Sequence, residues 1–357
     1  AEFCPLNLTA QKESPTDFPT FDDVAEESHC GKGSENIIGV DLKEAVRLTR
    51  EFDGYIAKNN DYVTTNVPSV LDLKGVVFHE SRSGATFAAN AMLALNPTKH
   101  RLYSESRPPE FAMKACGEGY PECSVKAAAN LMKDVVYMMS RSNDLRKENM
   151  FFVFHPESTR TMETFRTAFP TTPWIFLYRN PIDAMLSQGG DPAFSLEPSS
   201  MGKTFIKKGK YTMDDITTKG MTAVQQATFC LSALRNFRDA DGLGLAVKYS
   251  TDLVEDLIDT IFPKHFHTPV GRDGKERILK VYKENGYSED GISPGPLRDD
   301  QEEYIQAPKS TKDAVKHFLQ PSYKMLEESL YNIEKCRTFR PKGVVLRCHG
   351  LIKEKSN

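Results

Sequence analysis

Residues 75–95 read GVVFHESRSGATFAANAMLAL, and this stretch decides the fold class of the chain. An apolar run over residues 75–78 predicts a buried strand, and residues 87–95 predict a helix that ends before Asn96-Pro97. A short polar loop, residues 80–86, lies between them. Small residues at a helix N-terminus expose backbone N–H groups at the positive end of the helix dipole. The loop therefore predicts a site for phosphate or sulfate.

Three side chains of this loop can add to anion binding. Arg82 supplies a fixed positive charge, and Ser83 and Thr86 supply hydroxyl donors. An ordinary strand–helix turn can have the same composition, so the loop by itself does not decide the function.

A second strand–loop–helix unit follows at residues 173–187, PWIFLYRNPIDAMLS. Its apolar strand places Arg179 at the carboxyl end, Pro181 stands at a favoured first helical position, and Ser187 follows in the helix. Open α/β sheets bind ligands at the carboxyl ends of their strands. Two such units, each with a cation and a hydroxyl, predict a ligand that carries two anionic groups.

Alternation of apolar strands and helices along the chain predicts an α/β fold with a central parallel sheet flanked by helices. We expect helices over residues 41–56, 124–139, 214–237 and 252–261, a strand over 243–248, and long loops over 188–211 and 286–306.

Composition divides the chain into three parts. Residues 1–36 are rich in Pro, Ser, Thr, Asp and Glu, which predicts an extended or poorly ordered arm. Residues 37–340 are expected to form a single domain, and residues 341–357 a C-terminal tail.

The two motifs, in this order and spacing, resemble those of PAPS-dependent sulfotransferases, including the Golgi-type carbohydrate and the tyrosylprotein enzymes. Residues 81–87 look like the loop that binds the 5′-phosphosulfate, and residues 179–187 look like the 3′-phosphate motif. Weaker similarity at residues 247–253 and 321–330 extends the resemblance over about residues 72–335. It implies a P-loop NTPase-like sulfotransferase fold.

The resemblance also implies a reaction. A sulfuryl group would pass from PAPS, 3′-phosphoadenosine 5′-phosphosulfate, to the hydroxyl of a carbohydrate or of a small alcohol or phenol, with release of adenosine 3′,5′-bisphosphate. The residues implied in donor binding are Ser81, Arg82, Ser83, Gly84, Ala85, Thr86, Phe87, Arg179 and Ser187. The chain departs from the family pattern at Ala85, where Thr is frequent, and at Ser81, where Pro is common. Phe87 fits stacking on the adenine and core packing equally.

A nucleotide kinase and a catalytically inactive nucleotide- or glycan-binding relative are the alternatives. A P-loop kinase needs the motif G-x-x-x-x-G-K-[ST]. In the loop after the first strand, Gly84 is followed by Ala85 instead of Lys. The sequence Gly202-Lys203-Thr204 contains the end of the motif, but Glu197 stands at the position of its first Gly. A sulfuryl group carries less charge than a phosphoryl group, so we expect no metal requirement.

The acceptor hydroxyl needs a base to take its proton. Glu105 lies in Glu105-Ser106-Arg107, which matches the Glu-x-Arg segment of tyrosylprotein sulfotransferases. His155 follows an apolar run and lies 24 residues before Arg179, a position resembling that of the catalytic His of cytosolic sulfotransferases. We place Glu105 ahead of His155 and keep both. Arg82 is the third expected catalytic residue, because it can stabilise charge on the leaving oxygen.

Charge and cysteine content restrict the partners. A net charge of −3 gives no indication of nucleic-acid binding. The seven cysteines form no C-x-x-C zinc pattern. Cys116/Cys123 and Cys336/Cys348 are close enough in sequence to pair in an oxidising compartment, and Asn7-Leu8-Thr9 is a glycosylation sequon. We therefore expect the secretory pathway, with a Golgi lumen ahead of the cytoplasm. Membrane attachment is expected only through an N-terminal anchor that would precede the present chain.

Overall fold

The computed structural model describes residues 1–15, 17–30, 35, 37–58, 69–115, 124–187, 203, 206–207, 216–238, 242–250, 252–285 and 307–334. The predicted long loops at 188–211 and 286–306 lie outside these residues except for Lys203, Ile206 and Lys207, and the predicted tail at 341–357 lies outside them entirely.

A five-stranded parallel sheet forms the centre of the described chain. Its strands are β4 (Asp72–His79), β5 (His100–Ser104), β7 (Asn149–Val153), β8 (Trp174–Tyr178) and β9 (Gly244–Lys248). The spatial order is β5-β7-β4-β8-β9, so the first of these strands along the chain is the central one. Two short antiparallel pairs join β1 (Glu2–Phe3) to β2 (Ile38–Gly39) and β3 (Ser69–Val70) to β6 (Arg141–Ser142).

Helices surround the sheet. They are α1 (Leu8–Glu13), α2 (Phe21–Glu27), α3 (Leu42–Lys58), α4 (Ala85–Leu95), α5 (Arg107–Lys114), α6 (Val125–Met139), α7 (Met162–Ala168), α8 (Pro181–Ser187), α9 (Thr218–Arg238), α10 (Leu253–Asp256), α11 (Arg272–Asn285), α12 (Lys309–Ala314) and α13 (Gln320–Glu328). A 3₁₀ turn covers Pro156–Thr161, and π-helical turns cover Leu257–His265 and Val315–Leu319.

Both faces of the sheet are buried, which explains why its strands read as continuous apolar runs rather than as alternating patterns. Val76 and Phe78 of β4 point into one core, which is shared with α6, α7 and α9. Val77 points into the other core, which is shared with α4 and α11. The predicted α/β class, with a central parallel sheet flanked by helices, is confirmed. The predicted helices at 41–56, 124–139 and 214–237 correspond to α3, α6 and α9, and the strand at 243–248 to β9; residues 252–261 hold α10 and the π-helical turn after it.

The helix after the central strand is fixed at its far end. The guanidinium of Arg277 on α11 donates hydrogen bonds to the last carbonyls of α4, those of Ala94 at 2.7 Å and Leu95 at 2.8 Å. A cation at this end satisfies carbonyls that lack helical partners and complements the helix dipole. The arrangement holds α4 with its N-terminus at the carboxyl edge of the sheet.

The structure of the N-terminal arm differs from the extended or poorly ordered segment that its composition predicts. Over its described residues it is folded, not extended or poorly ordered: it contains α1 and α2, and a disulfide joins Cys4 to Cys30. A capping box between Thr20 and Asp23 starts α2, and Val24 is buried. Composition did not reveal this because a cross-link over 26 residues, worth about 3 kcal/mol, compensates for a small apolar core. The pairings considered for Cys116/Cys123 and Cys336/Cys348 lie outside the described residues.

No helix in the described ranges is both long enough and apolar enough to span a bilayer.

Candidate active site

The candidate site lies where the parallel strands end. Because all five run in the same direction, the loops after them meet at one edge of the sheet. Glu80 follows β4, Glu105 follows β5, Arg179 follows β8 and Tyr249 follows β9. His155 comes two residues after β7. The predicted loop after β4, Glu105, His155 and Arg179 therefore lie at this edge.

The loop after β4 has the backbone of an anion site. Gly84 is the N-cap of α4 at φ 84°, with no side-chain capping bond, and Arg82 also has left-handed backbone, at φ 63°. The first N–H groups of a helix have no intrahelical acceptor, so the first turn of α4 offers donors towards the edge. The Arg82 side chain is exposed.

The other predicted residues of this loop differ in how exposed they are. Ser83 is fully buried, and its hydroxyl donates to the Glu80 carbonyl at 2.8 Å, so it closes the turn. Thr86 is exposed, whereas Ala85 is buried at the start of α4. Phe87 is buried with its ring centroid 5.5 Å from that of Tyr282 on α11, an arrangement that favours core packing over adenine stacking.

Gly84 yields a first prediction. An added Cβ would lie 2.2 Å from Cδ2 of Tyr249, and a non-glycine residue at this φ costs about 1–2 kcal/mol by itself. Gly84→Ala should therefore displace Tyr249 and lower affinity for adenosine 3′,5′-bisphosphate about tenfold or more in calorimetric titration. Gly54→Ala in α3 is the matched control, because nothing lies within 4 Å of its Cβ. Equal affinity in the two variants would show that the Gly84 turn does not hold the nucleotide.

Glu80 is a residue whose role sequence reasoning missed. Its side chain is only 1% exposed, its Oε1 accepts the Arg179 backbone N–H at 2.5 Å, and Cys230 Sγ donates to its Oε2 at 3.7 Å. It thus ties the loop after β4 to the loop after β8. Burial raises the pKa of Glu80 to about 8, while the Arg179 N–H, the Cys230 thiol and the Arg179 charge act in the opposite direction.

This pKa gives a second prediction, on stability. From the ordinary value of 4.5 up to about 8, the unfolded chain ionises Glu80 while the folded chain keeps the proton, so stability falls as pH rises through that window. Glu80→Gln keeps an acceptor for the Arg179 N–H and lacks the titration. Its Tm should rise relative to the unmodified protein between those two pH values. The exposed exchange Glu255→Gln is the control, and a Glu80→Gln curve parallel to that of the unmodified protein would contradict the buried acid.

Arg179 sits in a buried cluster beside that acid. It is 4% exposed, its Nε lies 3.5 Å from Oδ2 of Asp183, and its Cζ lies 5.3 Å from the ring centroid of Tyr249. Nε of Arg179 is buried without a hydrogen-bond partner among the described residues. The ion pair with Asp183 at 3.5 Å does not count as a hydrogen bond, so this Nε–H can still donate to an incoming anionic oxygen. Ser187 is half-buried at the end of α8, where its hydroxyl donates to the Ala184 carbonyl at 3.2 Å.

Glu105 and His155 form a pair at the neighbouring strand ends. Burial raises the pKa of the Glu105 carboxyl. The charge of His155 lowers this pKa, the charges of Asp22 and Asp23 raise it, and the charge of Arg82 lowers it. The charge of the predicted loop cation therefore acts on the predicted base. Glu105 also has left-handed backbone, at φ 52°. Strained backbone of this kind concentrates at functional sites, and the same feature occurs at Arg82.

The surroundings of His155 favour a donor role. Its Nδ1 accepts from the Glu157 N–H at 3.4 Å, and its own backbone N–H donates to Oε1 of Glu110 at 2.7 Å. Burial lowers the pKa of His155, and the Glu105 charge partly opposes this. A neutral imidazole that accepts at Nδ1 carries its proton on Nε2, so it presents an N–H and not a lone pair. Glu105 is the group of this pair that can accept a proton.

Among the described residues, no group of three or more His, Cys, Asp or Glu side chains is placed to hold a metal ion.

Comparisons with known proteins find only distant structural similarity. No family model and no curated protein matches the sequence. The sulfotransferase domain of the Synechococcus PCC 7002 olefin synthase is similar with a TM-score of 0.36 and 14% identity, over 73% of this chain and 95% of that one. Sulfotransferase STF9 from Mycobacterium avium is similar with a TM-score of 0.41 and 13% identity, over 86% of this chain and 97% of that one.

Both are sulfotransferases. At these TM-scores and identities the likeness by itself assigns no reaction, and the case for one rests on the residues of the site.

Proposed function

We propose that the protein transfers a sulfuryl group from PAPS to an acceptor hydroxyl and releases adenosine 3′,5′-bisphosphate. One observation carries the proposal. A candidate base, Glu105, and a loop cation, Arg82, both on left-handed backbone, lie at the same edge of the sheet, and the Arg82 charge lowers the pKa of Glu105. That juxtaposition suits a reaction in which one group loses a proton while negative charge develops on another.

The residues present fit a donor with anionic groups at two separate positions. One position is the N-terminus of α4 behind Gly84, where a Cβ would intrude. The other is Arg179, whose buried Nε forms an ion pair with Asp183 at 3.5 Å and makes no hydrogen bond within the described part of the chain. Tyr249 lies against both, because its ring contacts the place of a Gly84 Cβ and the Arg179 guanidinium. A nucleotide with a 5′-phosphosulfate and a 3′-phosphate carries such a pair of groups.

Each anion-binding residue has a separate task. When bound, PAPS supplies an activated sulfuryl group whose leaving group is a phosphate. The first turn of α4 and the exposed Arg82 guanidinium hold the 5′ side, and Arg82 also stabilises the charge that develops there. Arg179 holds the 3′-phosphate, together with the predicted hydroxyl of Ser187 on the following helix. Ala85 occupies the helix position after Gly84, so a P-loop lysine for ATP is missing from this loop.

Glu105 and His155 have different roles in proton transfer. Glu105 accepts the proton of the acceptor hydroxyl at a carboxylate oxygen, and its raised pKa makes it a stronger base than an exposed Glu. The His155 Nε2–H donates to an oxygen of the reacting group or orients the acceptor. Catalysis in this scheme needs no metal ion.

The disulfide bears on where this reaction takes place. Cys4–Cys30 persists in an oxidising environment, and cytosolic reductants keep such pairs open. The proposal therefore places the protein in the secretory pathway, where hydroxyl groups of carbohydrates are available acceptors.

The test is turnover. Release of adenosine 3′,5′-bisphosphate from PAPS would be measured against a panel of carbohydrates, phenols, aliphatic alcohols and tyrosine peptides, with ATP and Mg²⁺ in parallel. Acceptor-dependent release that is lost in Glu105→Gln is the expected result. Phosphoryl transfer from ATP, or binding of PAPS without turnover of any acceptor, would overturn the proposal.

A further inference from the structure

A cavity of about 920 Å³ lies between the N-terminal arm and the body of the fold. The arm lines one side from residues 1–9 to Ala25 and Cys30, and the other side is formed by edge strand β5, the last turn of α6 and residues 141–147. This volume is in the upper range of small-molecule sites. The disulfide between Cys4 and Cys30 holds the arm in the shape that encloses the cavity.

One end of the cavity carries an excess of positive charge. Lys12, Arg101 and Lys147 line it and form no salt bridge among the described residues. Asp144, whose charge also acts on Lys147, is held in two hydrogen bonds by Arg146, at 2.9 and 3.0 Å. Nζ of Lys147 donates to the carbonyls of Pro97 and His100 at 2.7 Å each, so the ammonium is fixed in place. Burial, and then the nearby charges of Arg101 and Lys12, lower the pKa of Lys147 to about 8.

The rest of the cavity is largely apolar. Its lining includes Phe3 and Phe21 from the arm and Val135, Met138 and Met139 from α6. Phe21 also contacts Tyr103 of β5, with ring centroids 6.2 Å apart. Three cations that form no salt bridge, together with an apolar wall, match a molecule that has one anionic group and a hydrophobic body.

The cavity is separate from the proposed transfer site. Its lining includes none of the loop residues 80–87, nor Glu105, His155 or Arg179. We infer that it binds an amphiphilic organic anion, with the anionic group at Lys12, Arg101 and Lys147 and the hydrophobic body between the arm and α6. This site does not depend on the proposed reaction.

The test uses 1-naphthyl sulfate as the probe, with 1-naphthol and inorganic sulfate as its two halves. Calorimetric titration would be run on the full chain with its disulfide intact, with and without excess adenosine 3′,5′-bisphosphate. We expect saturable binding of the naphthyl sulfate, about tenfold or more tighter than either half and unchanged by the nucleotide. Competition by the nucleotide would place the probe at the carboxyl edge and overturn the inference.

Charge-reversal variants test whether the probe binds in this cavity. Lys12→Glu should weaken naphthyl sulfate binding about tenfold or more, while Lys12→Arg should preserve it. Lys133→Glu, at an exposed position of α6 outside the cavity lining, is the matched control and should change nothing. Binding that is absent, or that is equal in Lys12→Glu and Lys133→Glu, would contradict the site. Because both exchanges lie away from the catalytic residues, the result is independent of whether PAPS is the donor.

Discussion

Glu105→Gln should lower kcat for sulfuryl transfer by about 10²-fold or more while leaving the Kd for adenosine 3′,5′-bisphosphate nearly unchanged. Glutamine keeps the size and polarity of the side chain but accepts no proton at neutral pH. The loss falls on kcat because the proton moves in the transition state, not during nucleotide binding. The half-buried carboxyl beside His155 and Arg82 is the group with a pKa raised for this task.

Two comparisons make this result specific. Glu163→Gln, the same exchange at an exposed position of α7, should leave kcat unchanged. His155→Gln retains an N–H donor, so it should cost less than Glu105→Gln. If instead Glu105→Gln turns over normally and His155→Gln is inactive, His155 is the base, and the proton position inferred from its Nδ1 contact with Glu157 is wrong.

Loss of Arg179 should weaken adenosine 3′,5′-bisphosphate binding by about one to two decades and leave AMP binding nearly unchanged. A charge-assisted hydrogen bond to a phosphate is worth roughly 1.5–3 kcal/mol. AMP lacks the 3′-phosphate, so the ratio of the two Kd values isolates the contact. The buried Nε, which makes no hydrogen bond within the described residues, is the donor available for it.

The variant must avoid a folding defect. Arg179→Ala would remove the guanidinium that lies 3.5 Å from Asp183, which is 4% exposed, and breaking a buried ion pair costs about 3–5 kcal/mol. Arg179→Met combined with Asp183→Asn removes both charges, and should fold and lose the preference for the bisphosphate. Arg179→Lys should recover part of that preference, because it keeps the charge without the guanidinium geometry. An unchanged ratio in the double variant would remove Arg179 from the site.

Local sequence was sufficient to predict the two anion-binding loops. Residues 75–95 and 173–187 each contain a complete strand, a loop and the start of a helix, so their geometry depends on neighbours in the chain. The parallel sheet then brought Arg82, Glu105, His155 and Arg179 to one edge, as the carboxyl-end rule predicts. The roles expected for these side chains remain predictions.

The residues that connect the loops were not recognisable in the same way. Glu80 contacts the Arg179 backbone 99 residues away, and Cys230 is 150 residues from Glu80, so no local pattern reveals either contact. The available signal was a carboxylate at the end of an apolar strand, directly before an anion-binding loop. Tyr249 was part of a recognised segment, but its position against Gly84 and Arg179 depends on strand order. The folded arm likewise depends on a disulfide whose pairing cannot be read from cysteine positions alone.

Calorimetric titration with adenosine 3′,5′-bisphosphate, beside AMP and ATP with Mg²⁺, tests the central claim most directly. We predict micromolar binding of the bisphosphate, with AMP weaker by about one to two decades because it makes no contact with Arg179. No binding of the bisphosphate, or a preference for ATP, would contradict the assignment of PAPS as the donor.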